Sequence, residues 1–176
     1  FIGDHGIEDV AFVTGDIHTF FAGNVTRTGR QTVRGEEDSL LDGPPRATEF
    51  VAGSITSPGV VDRVATTEPE RNAAAAPVDA LALANNPQIT YINQAYKGYG
   101  VVEARPGELL VDYRAVRETR EPVSEAFTLR SFGVQSGDAI VEDRGGPVAL
   151  PAATEPGAYS EGQLPPAGLS LGQGLP

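Results

Sequence analysis

Short apolar runs separated by glycine and proline turns dominate the first 143 residues and predict a mixed α/β fold. The run VAFVT at residues 10–14 does not alternate, which is typical of a strand buried on both faces. Residues 19–25 and 49–55 predict two more strands, with a long polar loop between them at residues 27–46. Residues 1–6 are expected to be the end of a helix that stops at Gly6.

The second half of the pattern contains one helix and several further strands. Residues 60–84 have helical character, but Pro69 and Pro77 are expected to interrupt it, so residues 77–84 are the best helical stretch. The remaining apolar runs predict strands at residues 89–92, 99–104, 108–116, 126–134 and 139–142. Arg105-Pro106-Gly107 predicts a hairpin turn, and the Pro/Gly-rich residues 144–176 predict a disordered tail.

Composition and charge narrow the classes of function. The chain has 176 residues and no cysteine, which excludes disulfides, thiolate metal sites and cysteine nucleophiles within it. Thirteen basic and 24 acidic residues give a net charge of −11, which predicts that the chain does not bind nucleic acid. No apolar run approaches the roughly 18 residues of a membrane span, and no signal peptide is visible.

The segment Thr14-Gly15-Asp16-Ile17-His18 is the sharpest chemical feature of the sequence. In extended backbone, Asp16 and His18 lie on the same side, at the end of a predicted buried strand. A carboxylate and an imidazole suit zinc, manganese or iron, and the carboxylate alone also suits calcium. Taken by itself, the same segment is more typical of an ordinary turn with a surface histidine, because two ligands are too few for a metal site.

Other candidate sites have weaker patterns. The acidic run Glu36-Glu37-Asp38 is typical of a solvated loop, although it could hold a cation. Tyrosines at four positions could stack on a sugar, but they are more typical of sheet residues: Tyr91, Tyr96, Tyr99 and Tyr113. These features leave open a non-catalytic, β-rich module that binds calcium or a glycan.

Four blocks in order resemble the C-terminal part of the PhoD-like alkaline phosphatases. They are TGDIH at 14–18, EFVAGSITSPG at 49–59, NPQITY at 86–91 and KGYGVVE at 97–103. The resemblance covers about residues 1–143. These enzymes belong to the calcineurin-like metallophosphoesterases and are similar to purple acid phosphatases in their metal centre.

The resemblance implies an α/β fold, here the C-terminal portion of a four-layer αββα sandwich with its ligands on strand-end loops. It implies metal-dependent hydrolysis of phosphate monoesters or diesters, usually outside the cytoplasm, with iron and calcium as metals and zinc or manganese as alternatives. Asp16 and His18 match the late metal ligands. The earlier ligand blocks have no counterpart in the sequence and are expected upstream of Phe1, so the chain is expected to be inactive alone.

The second block adds candidate residues around the metal ligands. The Glu49 carboxylate and the hydroxyls of Ser54, Thr56 and Ser57 are candidates for orienting His18 through its distal ring nitrogen. An equally good interpretation is that Glu49 pairs on its strand and the others form a turn. A degenerate phosphatase homologue remains a further alternative to an active enzyme.

Overall fold

The computed structural model describes residues 1–26 and 44–146, which form two four-stranded sheets and one α-helix. Because β-branched and aromatic residues fill the apolar runs, most of these runs become strands. The elements are β1 (Ala11–Thr14), β2 (Phe20–Val25), β3 (Ala47–Val51), a 3-10 turn (Val61–Arg63), α1 (Glu68–Asn85), β4 (Ile89–Asn93), β5 (Lys97–Arg105), β6 (Glu108–Val116), β7 (Ala126–Gln135) and β8 (Glu142–Gly145). The predicted mixed α/β class is confirmed, and the two sheets with their helix are consistent with part of an α/β sandwich.

The two sheets are consecutive in the chain and differ in topology. Sheet A has the order β1-β3-β2-β4, in which β1 and β3 are parallel and the other pairs are antiparallel. Sheet B is an antiparallel meander in the order β5-β6-β7-β8. The predicted hairpin at residues 105–107 joins β5 to β6, and its Gly107 has a φ of 90°, which a glycine adopts without strain.

Aromatic side chains from both sheets form the core between them. Tyr113 on β6 packs against Phe20 on β2 and Phe132 on β7, with ring centroids 5.0 and 5.2 Å apart. The Tyr113 hydroxyl donates a hydrogen bond to the carbonyl oxygen of Phe21 in sheet A. Burial therefore raises the pKa of Tyr113, which stays neutral as a donor.

The prediction that β1 is buried on both faces is wrong for the described residues. Phe12 and Val13 are 42% and 59% exposed. β1 is the first strand in the order of sheet A and pairs only with β3 among the described strands. An edge position leaves the apolar run in contact with solvent, although its sequence suits an interior strand.

Helix α1 is longer than the proline positions predict. Pro69 lies in the first turn, where its missing N–H has no helical partner in any case. Pro77 lies inside the helix, and the prediction that it interrupts the helix is wrong. Ala73 is the residue whose carbonyl loses its helical partner, and both Ala73 and Pro77 are exposed, which lowers the cost of that lost bond because an exposed carbonyl can bind water instead.

Two other boundaries differ from the prediction. Residues 139–141 do not join the final strand, because the Asn24 side chain accepts the hydrogen bond of the Val141 N–H at 2.8 Å. β8 instead runs to Gly145 and so includes the first two residues of the predicted tail, 144 and 145. The first residues make a single turn closed by Gly6, with Ile7 N donating to Ile2 O at 3.0 Å, the closing bond of a helix end.

Two predicted segments lie outside the described residues. They are most of the predicted polar loop, residues 27–43 with Glu36-Glu37-Asp38, and most of the predicted tail, residues 147–176.

A capping box fixes the beginning of α1 and predicts an acid-dependent contribution to stability. The Glu70 carboxylate accepts hydrogen bonds from Thr66 N and Thr67 N, both at 3.0 Å, and these lower its pKa from 4.5 to about 2. A depressed folded-state pKa means that the contribution is complete above about pH 4.5 and is lost as the pH falls toward 2.

We expect Glu70→Gln, which keeps an acceptor but does not titrate, to reduce the loss of stability between pH 5 and pH 2.5, values chosen to bracket roughly this transition. Urea midpoints followed by circular dichroism at the two pH values measure the difference. Glu121→Gln is the matched control, because Glu121 is exposed and accepts no hydrogen bond in the described part of the chain. An equal change in both variants would contradict the prediction.

Candidate metal-ligating loop

The loop that joins β1 to β2, residues 15–19, carries Asp16 and His18 in strained backbone conformations. Both have positive φ, 73° and 57°, in the left-handed region that non-glycine residues rarely occupy. Ile17 N donates to Gly15 O at 2.9 Å, so Asp16 is the centre of a γ-turn of the strained kind. The expectation of an extended backbone here is wrong. Such strain is found preferentially at functional sites.

The imidazole of His18 is oriented by a main-chain carbonyl. Its Nδ1 lies 2.9 Å from Pro58 O. A carbonyl oxygen can only accept, so Nδ1 is the donor, and in the neutral ring this tautomer leaves the lone pair on Nε2. Histidines that bind metals are typically held in this way, with one ring nitrogen donating to a backbone carbonyl. The donor set therefore fits a metal ligand: His18 through Nε2, with the exposed carboxylate of Asp16 two residues earlier.

The predicted helpers of His18 occupy other positions. The Glu49 carboxylate accepts a hydrogen bond from Thr14 Oγ1 at 3.2 Å, within the β1–β3 pair. Ser54 Oγ donates to Ser57 O at 2.5 Å and closes a turn, residues 54–59, called here the 54–59 turn. The contact to His18 comes instead from the main chain of this turn at Pro58. Within residues 1–26 and 44–146, no cluster of three or more candidate ligands forms.

A lysine and an aspartate that the sequence analysis missed hold the 54–59 turn in place. Lys97 Nζ donates to Ser57 O at 2.8 Å and to Asp62 Oδ2 at 2.5 Å. Asp62 also accepts from Gly59 N at 2.5 Å. Burial opposes ionisation of Asp62, but the hydrogen bonds from Lys97 and Gly59 prevail and lower its pKa. Lys97 and Asp62 are 35 residues apart in the chain, so no short sequence motif indicates that they form a pair.

Replacing Lys97 is expected to destabilise the 54–59 turn, because Lys97 donates hydrogen bonds to Ser57 and Asp62. Lys97→Ala leaves the Asp62 carboxylate, whose side chain is only 18% exposed, without its cation, and we expect a loss of about 2 kcal/mol in unfolding free energy. Urea unfolding measures the change. Arg105→Ala breaks a solvent-exposed pair with Glu103 and should have almost no effect, as is usual for surface ion pairs. Equal effects of the two variants would contradict the expectation.

The tyrosines do not form a binding platform. Tyr113 is buried, and Tyr91 packs on the core with its ring centroid 5.6 Å from that of Phe132. Tyr96 donates a hydrogen bond to Glu68 at 2.6 Å and packs edge-on against Phe127. Only Tyr99 of the four is largely exposed. Stacking on a glycan by this set has no support in the described part of the chain.

Comparisons with known proteins agree with part of an α/β sandwich. Residues 1–113 match the model of the PhoD-like phosphatases, and the chain belongs to that family. The solved structure of PhoD has a TM-score of 0.60 to this fold at 23% identity. The match covers 84% of this chain and 24% of the PhoD chain, so the chain spans about a quarter of that protein's length. No curated protein matches the chain.

The predicted resemblance is thereby confirmed, although the family match ends at residue 113 rather than near 143. Residues 114–146 contain the end of β6 and all of β7 and β8, which complete sheet B. None of the helices in the described ranges is both long and apolar enough to cross a membrane.

Proposed function

We propose that this chain supplies two late metal ligands, Asp16 and His18, to a metal-dependent hydrolase of phosphate monoesters or diesters. The observation that carries the proposal is the hydrogen bond between His18 Nδ1 and Pro58 O, which occupies Nδ1 and leaves Nε2 as the ring nitrogen for a metal. Membership of the PhoD-like phosphatases supports the reaction class. Iron and calcium are the proposed metals, with zinc or manganese as alternatives, and the proposed location is outside the cytoplasm.

The role of this chain's own residues is to position donors. The 54–59 turn fixes the tautomer of His18, and Lys97 and Asp62 fix the turn. A bound metal would supply polarisation of the phosphoryl oxygen and would neutralise part of the substrate's charge. Charge neutralisation matters here because a chain with a net charge of −11 repels phosphate esters.

Two donors do not hold a catalytic metal centre, which needs about four ligands. We therefore propose that the 176-residue chain does not hydrolyse phosphate esters by itself. The assay is turnover of p-nitrophenyl phosphate and its bis ester by the purified chain with iron, calcium, zinc or manganese added. Metal-dependent hydrolysis that disappears in Asp16→Ala would overturn this part of the proposal.

The ligand role itself is testable through metal binding by the chain. We expect His18→Ala to weaken Zn²⁺ binding by about tenfold or more, since even contacts that only orient a metal ligand contribute 10–100-fold. Titration calorimetry of the folded chain measures the affinity. His5→Ala is the matched control, because His5 Nδ1 also lies 3.0 Å from a main-chain carbonyl, that of Phe1. Equal losses in both variants would contradict the assignment.

The coding sequence provides a separate test of the reaction class. If it extends upstream of Phe1 into aspartate- and asparagine-bearing blocks, the longer product is expected to hydrolyse phosphate esters and to lose that activity in Asp16→Ala and His18→Ala. Full activity of either variant in the longer product would contradict the proposed role of both residues.

A further inference from the structure

A cleft of about 240 Å³ lies beside the 54–59 turn and is lined by four of the chain's thirteen basic residues. Pro58 belongs both to the wall of this cleft and to the hydrogen bond that orients His18. The cleft is bounded by the 54–59 turn, helix α1, the start of β5 and the segment that follows β6. Its basic residues are Arg71, Lys97, Arg117 and Arg120.

Two of the four cations are held in fixed orientations. Arg71 donates from Nε to Ala95 O at 3.1 Å and from Nη1 to Thr66 O at 2.8 Å. Arg117 is held by Glu125 at 2.8 Å and lies over the ring of Phe127, 4.7 Å from its centroid. Guanidinium groups fixed in this way lose little side-chain entropy when they bind an anion.

The other two cations differ in their partners. Lys97 is paired with Asp62, which lines the cleft as well, so the two charges balance. Arg120 is exposed, and its guanidinium makes no ion pair with any residue of the described segments. The second carboxylate of the lining, Glu118, accepts a hydrogen bond from Arg120 N at 3.0 Å. Arg117 is paired with Glu125 at 2.8 Å and Glu68 at 3.5 Å, and Lys97 with Asp62, so the cations of the cleft that have no ion pair among the described residues are Arg71 and Arg120.

The group of cations in the cleft is opposite in sign to the net charge of the whole chain. With a net charge of −11, non-specific attraction of anions is absent, and an anion is stabilised only where cations converge. Thr56 and Thr119 also line the cleft, and a threonine hydroxyl can act as a neutral donor. Guanidinium groups with hydroxyl donors suit the tetrahedral oxygens of phosphate better than a monovalent halide.

We infer that this cleft binds a phosphate group, separately from the metal ligands Asp16 and His18. The choice of phosphate as the anion rests on the proposed function, whereas the anion site rests on the cleft itself. The phosphate has two possible sources, the non-reacting part of an ester substrate or free inorganic phosphate. Either source places a phosphate next to the turn that orients His18.

The test is calorimetric titration of the chain with inorganic phosphate and with glycerol phosphate, in metal-free buffer containing a chelator. We expect Arg120→Gln to weaken binding by about tenfold, the effect of one charge-assisted hydrogen bond. Arg63→Gln is the matched control, because Arg63 is also exposed, makes no ion pair within the described segments and lies outside the cleft. Binding should also weaken as salt is added.

The outcomes separate this inference from the proposed function. Binding of both probes supports an ester as the source, and binding of inorganic phosphate alone supports the free anion. Unchanged phosphate binding in Asp16→Ala supports a site independent of the metal ligands, even if zinc binding proves unrelated to His18. No phosphate binding, equal losses in Arg120→Gln and Arg63→Gln, or loss only in Asp16→Ala would overturn the inference.

Discussion

Tyr113→Ala is expected to lower the unfolding free energy by about 3–5 kcal/mol, the usual cost of removing a large aromatic side chain from a core. Tyr113 is 1% exposed and contacts aromatic rings of both sheets, with Tyr91 6.2 Å away in addition to Phe20 and Phe132. The substitution also leaves the Phe21 carbonyl without the hydroxyl that joins the sheets. Domains of this size are stable by only about 5–15 kcal/mol, so much of the folded population would be lost.

Tyr113→Phe separates the two contributions. It keeps the ring and removes only the hydrogen bond to Phe21 O, for which we expect a cost of about 1 kcal/mol. Urea unfolding followed by circular dichroism measures both variants, since the chain has no tryptophan for fluorescence. A similar cost for Tyr113→Phe and Tyr113→Ala would mean that the ring contributes little, contrary to the prediction.

Gly98→Ala is expected to destabilise the chain by about 3 kcal/mol, the upper end of the usual cost of overpacking. A Cβ at Gly98 would lie 1.8 Å from Arg114 O and 2.9 Å from the Cα of Ala115. Both atoms belong to the backbone of β6, so no side-chain rotation relieves the clash. Gly98 N also donates to Ser54 O at 3.0 Å. A backbone displacement of β5 that relieves the clash would therefore also move the 54–59 turn.

Gly100→Ala, two residues along the same strand, is the matched control. Its added Cβ would meet Ala52 Cβ at 3.5 Å, an ordinary van der Waals contact. We expect a change of about 0.5 kcal/mol in either direction, because alanine also restricts the unfolded chain. If Gly98→Ala unfolds at the same urea concentration as Gly100→Ala, the close approach of β5 and β6 at Gly98 is contradicted.

The sequence predicts the strands well where local chemistry determines them. In β6, Val111, Tyr113 and Ala115 are buried and alternate with less buried residues, and the turn at residues 105–107 sets the register of the hairpin. The edge position of β1 was not predictable, because an apolar run does not reveal the number of its neighbouring strands. Helix α1 continues through Pro77 at an exposed position, and exposure is not encoded in helix propensity.

The candidate site was predictable in residue type but not in geometry. Asp16 and His18 are candidate ligands from their residue types and the family resemblance, but the expectation of an extended backbone is contradicted by positive φ at both residues. The partner of His18 is a carbonyl oxygen, which every residue possesses and which therefore leaves no mark in a sequence. Lys97 and Asp62 meet only because β5 passes beside the 54–59 turn.

The edge position of β1 has a consequence for the kinetics of local opening. A four-residue strand with one parallel neighbour is among the first parts of a sheet to open, so its amide protons should exchange with solvent faster than those of β6. The loop that carries Asp16 and His18 follows β1 directly, whereas His18 is also held at Pro58, so opening of β1 is expected to change the position of Asp16 relative to His18. A bound metal would therefore slow amide exchange in β1, and the metal affinity of the chain would be reduced by the fraction of time that β1 is open.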